Sequence, residues 1–242
     1  MWSGDVMSKT RYFIIFVVAI FTIFLLFQYN KNEVIFVNKD AIKFKEEYEK
    51  LNNKENPNNK KLYPSVDINK DNPIKYSNYD EVLEILKSGT GVIYFGSPNS
   101  ALSRILIVPL LTSAEESEVE TIYYMNLEEE AESLMLDDKL NVVIEHEGTK
   151  GYFKLVSALD SILSENILIS ADGDKVSTGK KKIEMPTVVF VKDGEIVGYH
   201  VGTVDSHEDP YTPLDDRQSE ELLMKLINLC SVVKGTVCDE RC

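Results

Sequence analysis

The chain has 242 residues, 43% of them hydrophobic, which is enough apolar material for one domain of ordinary size with a buried core. Its formal net charge is -14 at pH 7, and the phosphates of DNA or RNA would repel so acidic a surface. Composition therefore indicates an acidic globular protein and excludes a nucleic acid partner.

The first predicted element is an apolar helix over residues 12–29. Residues 12–27 carry no charge, and Tyr12 and Tyr29 stand at the two ends of the segment. A helix of this length, at about 1.5 Å per residue, nearly matches a bilayer hydrocarbon core of about 30 Å. The residues that follow are bulky and polar, unlike a signal-peptidase site, so we predict an uncleaved signal anchor that contacts the lipid bilayer.

Residues 30–75 are dense in Lys, Asn, Asp and Glu and are predicted to be a polar tether. Ile42, Phe44 and Tyr48 recur at helical spacing, which predicts a short amphipathic helix within residues 41–51. Residues 52–71 have too few apolar side chains, by composition, to bury a core. We therefore expect the globular domain to begin near residue 76.

Short apolar strands alternate with helical patterns through the rest of the chain, which predicts an α/β fold with a parallel core and helices on both faces of the sheet. Strands are predicted at residues 92–95 and 121–126, and a hairpin turn at Asp193-Gly194. The predicted helices are near residues 79–88, 100–118, 127–138, 148–165 and 218–228, the third of them strongly acidic. Between residues 141 and 182 we expect an insertion of helix and loop. No spacing of carboxylates, histidines or cysteines fits a metal site, so no metal or other cofactor is expected.

A strand, a turn and a helix start meet at residues 91–104. The run Gly91–Phe95 predicts a buried strand, residues 96–99 predict a turn, and Ser100 stands at the N-cap of the next helix. Tyr94-Phe95-Gly96, Pro98, and Ser100 and Ser103 followed by Arg104 resemble the active-site segment of the thioredoxin superfamily, whose members carry a Cys-x-x-Cys pair there. Residues 184–198 resemble the superfamily's cis-proline, strand, turn and strand.

The resemblance covers about residues 76–230. It implies a thioredoxin-like three-layer α/β/α sandwich with a mixed central sheet, over residues 76–232. It also implies that Ser100 and Ser103 occupy the positions of the redox pair. A serine hydroxyl stays protonated at neutral pH and cannot enter thiol–disulfide exchange, so we assign no catalytic residue. Ala101-Leu102 also replaces the family's Pro-aromatic pair, which favours a naturally degenerate site over an engineered Cys-to-Ser pair.

The resemblance further implies a peptide groove beside a cis peptide bond at Pro186. Its candidate lining is Ser100, Ala101, Met185, Pro186 and Thr187. We therefore predict a non-catalytic polypeptide-binding or folding-support module whose partner is a polypeptide or another extracytoplasmic protein. The basic residues flanking the apolar segment do not decide its orientation. Membrane-tethered relatives face outward from the bacterial cytoplasm, so residues 1–11 are expected to be cytoplasmic and the domain extracytoplasmic at the bacterial cell membrane.

The three cysteines lie near the C-terminus, two of them in the tail formed by residues 233–242. Cys238 and Cys242 are four residues apart and can form a disulfide in a turn or frayed helix, with Cys230 free or an alternative partner for either. The alternative function is accordingly that of a thiol–disulfide oxidoreductase in cell redox homeostasis. It would work through these cysteines, or its active site would be engineered.

Overall fold

A computed structural model of the chain describes residues 38–235. Its α-helices are α1 (Lys39–Glu49), α2 (Tyr79–Ser88), α3 (Ala101–Glu116), α4 (Lys150–Ala158) and α5 (Asp216–Lys234), with a 3-10 turn at Asp160–Ile162. Its strands are β1 (Ile74–Tyr76), β2 (Gly91–Phe95), β3 (Ile122–Met125), β4 (Ser133–Leu136), β5 (Val142–His146), β6 (Glu165–Ile169), β7 (Lys175–Lys181), β8 (Thr187–Lys192) and β9 (Glu195–Val201).

Five strands form a central sheet in the order β1-β3-β2-β8-β9. The pairs β1–β3 and β2–β3 are parallel, whereas β2–β8 and β8–β9 are antiparallel. The turn between β8 and β9 is formed by Asp193 and Gly194, both with positive φ, which the mirror-image turns of hairpins require. The predicted α/β fold with a mixed central sheet is thus confirmed.

Alternate residues of β2 point into two hydrophobic clusters, one on each face of the sheet. Val92 and Tyr94 belong to a cluster that also contains buried residues of α1, α3 and α5. Ile93 and Phe95 belong to a second cluster with buried residues of α2 and α4. Because successive side chains of a strand point to opposite faces, β2 is fully buried and its sequence is continuously apolar.

The short helix predicted within the tether is present as α1. Because α1 and residues 63–74 contribute buried side chains to the core, the prediction of a tether that stands off the domain is wrong for these residues. Phe44 and Tyr48 of α1 are fully buried, and the Tyr48 hydroxyl lies 3.1 Å from that of Tyr94. Val66 is 5% exposed, and the Asn52 amide donates to its carbonyl and accepts from its N–H. The prediction from composition was wrong because a few aromatic side chains pack against the sheet. Polar side chains meanwhile form hydrogen bonds with backbone groups that belong to no helix or strand.

The acidic helix predicted at residues 127–138 is also absent from this structure. Leu127 is buried, a turn follows, and β4 pairs with β5 in an antiparallel hairpin. The glutamates indicated a helix, whereas Leu134 and Leu136 pair with Ile144 and Val142 across the hairpin. A second hairpin, β6–β7, follows α4 and completes the insertion between the strands of the central sheet.

Two sequence predictions fall on residues that the structure does not describe. The signal anchor at residues 12–29 precedes the described part of the chain, and Cys238 and Cys242 follow it. Within residues 38–235, no helix combines the length and the apolar character needed to cross a bilayer.

Candidate functional site

Three segments converge at one edge of the central sheet. The parallel strands β2 and β3 end at this edge, and β8, which runs the other way, begins there. Ligands of α/β sheets commonly bind outside the carboxyl ends of parallel strands. Here the segments enclose a cleft of about 380 Å³, lined by Ser97, Asn99, Ser100, Glu128, Lys182, Ile183, Glu184 and Met185.

Ser100 stands at the N-cap of α3, as predicted, and is one of the residues that line the cleft. Its Oγ accepts the backbone N–H of Ser103 at 3.2 Å, which caps α3, and lies 3.5 Å from the Met185 carbonyl oxygen. Ser103 is fully buried, and its Oγ accepts the backbone N–H of Ser97 at 3.2 Å. The two serines therefore fix the loop that precedes α3 and the first turn of the helix.

Among the described residues, no side chain accepts a hydrogen bond from Ser100 Oγ, which donates to the Met185 carbonyl instead. His146 contacts the Glu129 carbonyl, and His207 contacts Thr203 and the Thr212 carbonyl. His200 is buried in β9, with neither ring nitrogen hydrogen-bonded to a described residue. A serine nucleophile needs such a base within hydrogen-bond reach, so this geometry does not support hydrolase chemistry at Ser100.

The segment before β8 has a cis peptide bond between Met185 and Pro186, as the resemblance implies. Gly202 donates its backbone N–H to the Pro186 carbonyl at 2.9 Å, and Thr187 Oγ1 donates to the Glu184 carbonyl at 2.7 Å. Of the five residues predicted to line a groove, Ser100 and Met185 line the cleft. Ala101, Pro186 and Thr187 are buried and are not among the residues that line it.

Glu128 is a prominent polar group of the cleft that sequence reasoning missed. Its Oε2 accepts from Ser97 Oγ at 2.6 Å and from Asn99 Nδ2 at 2.9 Å. Ser97 is 1% exposed and also accepts the backbone N–H of Asn99 at 3.1 Å. The available signal was its position just after β3, because parallel neighbours such as β2 and β3 end at one edge. Assigning residues 127–138 to a helix concealed it.

Arg104, the last residue of the segment at residues 94–104, is 1% exposed. Its guanidinium donates to the carbonyls of Tyr48 at 2.6 Å and Pro64 at 2.7 Å, and to Asn52 Oδ1 at 2.6 Å. Burial lowers the pKa of Arg104 from its ordinary value. These bonds join α3 to residues 48–64, so the N-terminal segment is anchored beside the loop that forms the cleft.

Cys230, the cysteine that the structure describes, has no exposed surface. Its Sγ lies 3.6 Å from Ser113 Oγ, and burial raises the pKa of its thiol. A buried, protonated thiol is a poor nucleophile. Within residues 38–235, no group of three or more His, Cys, Asp or Glu side chains is placed to hold a metal ion.

Comparison of the chain with models of protein families, with curated proteins and with solved structures finds no match. The resemblance to the thioredoxin superfamily thus rests on the motifs at residues 94–104 and 184–198 and stays a prediction.

Proposed function

We propose that this chain is a thioredoxin-like protein without the redox pair. It binds extended polypeptide in the cleft and catalyses no reaction on it. The observation that carries the proposal is the placement of Ser100 opposite Met185, immediately before the cis bond to Pro186. The sheet order, with three strands in parallel register followed by the antiparallel pair β8–β9, supports a thioredoxin-like three-layer arrangement.

The cleft offers a polypeptide a main-chain acceptor on one wall. The Met185 carbonyl lies 3.5 Å from Ser100 Oγ, at the long limit of a hydrogen bond. It can therefore accept an N–H from an extended chain, while side chains of that chain occupy the space between Asn99 and Glu184. In this proposal the domain works on the outer side of a bacterial cell membrane, anchored by residues 12–29.

Binding to one polypeptide in two states tests the proposal. Reduced, carbamidomethylated ribonuclease is permanently unfolded, and native ribonuclease is its folded match. With the full chain in uncharged detergent, we expect fluorescence anisotropy to show binding of the unfolded form and not of the folded one. Asn99→Trp should fill the cleft and weaken binding at least about tenfold, which is a loss of about 1.4 kcal/mol. Asn99→Ala leaves the space open and should cost less than about threefold.

Equal binding of folded and unfolded ribonuclease would overturn the proposal. So would undiminished affinity in the Asn99→Trp variant, because the cleft would then not be the binding site.

An insulin-disulfide reduction assay tests whether the chain lacks thiol–disulfide exchange activity. The native chain should give no turnover, and Ser100→Cys combined with Ser103→Cys should give turnover. The two positions are one helical turn apart, and the helix N-terminus favours a thiolate at the first. Turnover by the native chain that disappears with Cys238→Ser or Cys242→Ser would instead establish the oxidoreductase alternative. An inactive, folded double variant would count against a thioredoxin-like frame.

A further inference from the structure

The cleft contains a carboxylate that is held in one orientation. Glu128 Oε2 receives hydrogen bonds from both Ser97 and Asn99, and Ser97 is almost completely buried. Within residues 38–235, no side chain or backbone group donates to the other oxygen, Oε1, and no Lys, Arg or His lies within ion-pair distance. Glu128 itself is exposed. One carboxylate oxygen is thus fixed by the protein, and the other is open to a ligand.

The basic side chain that lines the same cleft already has a partner. Lys182 Nζ lies 3.8 Å from Glu184 Oε1 across the segment that precedes Pro186. The charges of the three ionisable lining residues, Glu128, Lys182 and Glu184, therefore leave the cleft one negative charge in excess. The net charge of -14 on the whole chain extends this field outward and attracts cationic ligands at long range.

We infer that the cleft selects polypeptide segments carrying a lysine or arginine side chain, which binds Glu128. This inference rests on the function proposed above and names its ligand class. An ammonium or guanidinium group donates the charge-assisted hydrogen bond that Oε1 lacks. The main chain of the same segment would run along the opposite wall, at Met185. A divalent cation fits less well, because it needs six or more oxygen ligands.

The experiment uses the unfolded ribonuclease probe in two forms. One keeps its basic side chains, and the other has its lysines acetylated and its arginines blocked with phenylglyoxal. Both are titrated into the full chain, into Glu128→Gln, and into the matched control Glu129→Gln. Glutamine at residue 128 retains an oxygen for Ser97 and Asn99, removes the charge, and replaces the open oxygen by an NH2 group that donates instead of accepting. Glu129→Gln removes the same charge from an exposed neighbour that does not line the cleft.

We expect the native chain to bind the unblocked probe about fivefold to tenfold more tightly than the blocked probe, as for one oriented ion pair. Glu128→Gln should lower affinity for the unblocked probe by about that factor, leave affinity for the blocked probe unchanged, and keep only the smaller preference that the net charge of the chain supplies. Glu129→Gln should retain the preference for the unblocked probe. This result would distinguish a contact with Glu128 from an effect of the overall negative charge.

The outcomes distinguish this inference from the function on which it rests. If the native chain binds both forms equally, polypeptide binding stands and basic selectivity is wrong. Selectivity that Glu128→Gln and Glu129→Gln reduce equally would assign it to overall charge and overturn the role of Glu128. If neither form binds, the proposed function itself fails.

Discussion

At the scale of single residues, His200 is a buried polar side chain whose ring nitrogens have no hydrogen-bond partner among the described residues. It is 3% exposed. Burial lowers the pKa of His200 to about 4, and Lys225 acts in the same direction; the backbone of Gly202 and Thr203 and the Asp205 carboxylate oppose both. The ring is therefore neutral inside the folded protein at pH values where a histidine in the unfolded chain is protonated.

This difference predicts a loss of stability in mild acid. Between about pH 6.5, the usual pKa of an unfolded histidine, and pH 4 the unfolded chain binds more protons at this residue than the folded one. The free energy of unfolding should fall as pH decreases through that window, by up to about 3 kcal/mol from this group. In urea unfolding at pH 7, 6, 5 and 4, His200→Leu should flatten the dependence. His146→Gln, at an exposed histidine, should leave it unchanged, and a slope that persists in His200→Leu would refute the assignment.

The sequence predicted the backbone segments that form the cleft better than it predicted the side chains that line it. The motif at residues 94–104 placed Ser100 at a helix N-cap next to the segment before Pro186, and both features are present. Glu128 was missed because its role depends on which strand ends lie side by side. Such adjacency arises from sheet topology and leaves no local pattern in the chain.

At the scale of elements, α1 shows why composition is a weak guide to burial. The helix has a polar average, yet Ala41, Phe44 and Tyr48 have no exposed surface. The Phe44 ring centroid lies 4.8 Å from that of Tyr124 in an edge-to-face arrangement. Aromatic side chains bury large areas individually, so three apolar positions suffice to attach the helix.

Phe44→Ala should accordingly destabilise the domain. Removing a fully buried phenylalanine costs about 3–5 kcal/mol, through lost burial and the cavity left behind. Urea unfolding followed by tyrosine fluorescence measures the change. Leu62→Ala is the matched control in the same segment, because Leu62 is 59% exposed and its loss should cost less than about 1 kcal/mol. Equal stability of Phe44→Ala and the native chain would restore the tether interpretation of residues 38–75.

At the scale of the whole molecule, the excess of acidic groups should oppose folding. The net charge is -14, and most of the ion pairs in the described residues join partly exposed groups, which contribute little each. Salt screens the repulsion between exposed charges over about 10 Å at 0.1 M. We expect the free energy of unfolding at pH 7 to rise between 0.02 M and 0.5 M NaCl. The increase should vanish near the isoelectric point of about 4.7, and an equal salt effect at both pH values would contradict this explanation.

The overall architecture could be anticipated because alternating helical and strand patterns restrict an α/β chain to few arrangements. The alternation predicted helices on both faces of the sheet, and the hairpin signal at Asp193-Gly194 predicted the turn between β8 and β9, whereas the mixed sheet was implied only by the resemblance. The two inserted hairpins could not be anticipated in the same way. Their strands are short and half exposed, so neither burial nor periodicity distinguishes them clearly from helix or loop.

The pairing of β2 with β8 also has a consequence for folding during synthesis, because the two strands leave the ribosome at different times. Phe95 pairs with Thr187, and Gly91 with Val191, so the partners are 92 to 100 positions apart in the chain. At a synthesis rate of about 5–20 residues per second, β8 is completed roughly 5–20 s after β2. The parallel strands β1, β3 and β2 can assemble during that interval, with the β2 edge still unpaired. An unpaired apolar edge is a template for association between chains, so the nascent protein is most prone to aggregation just before β8 emerges.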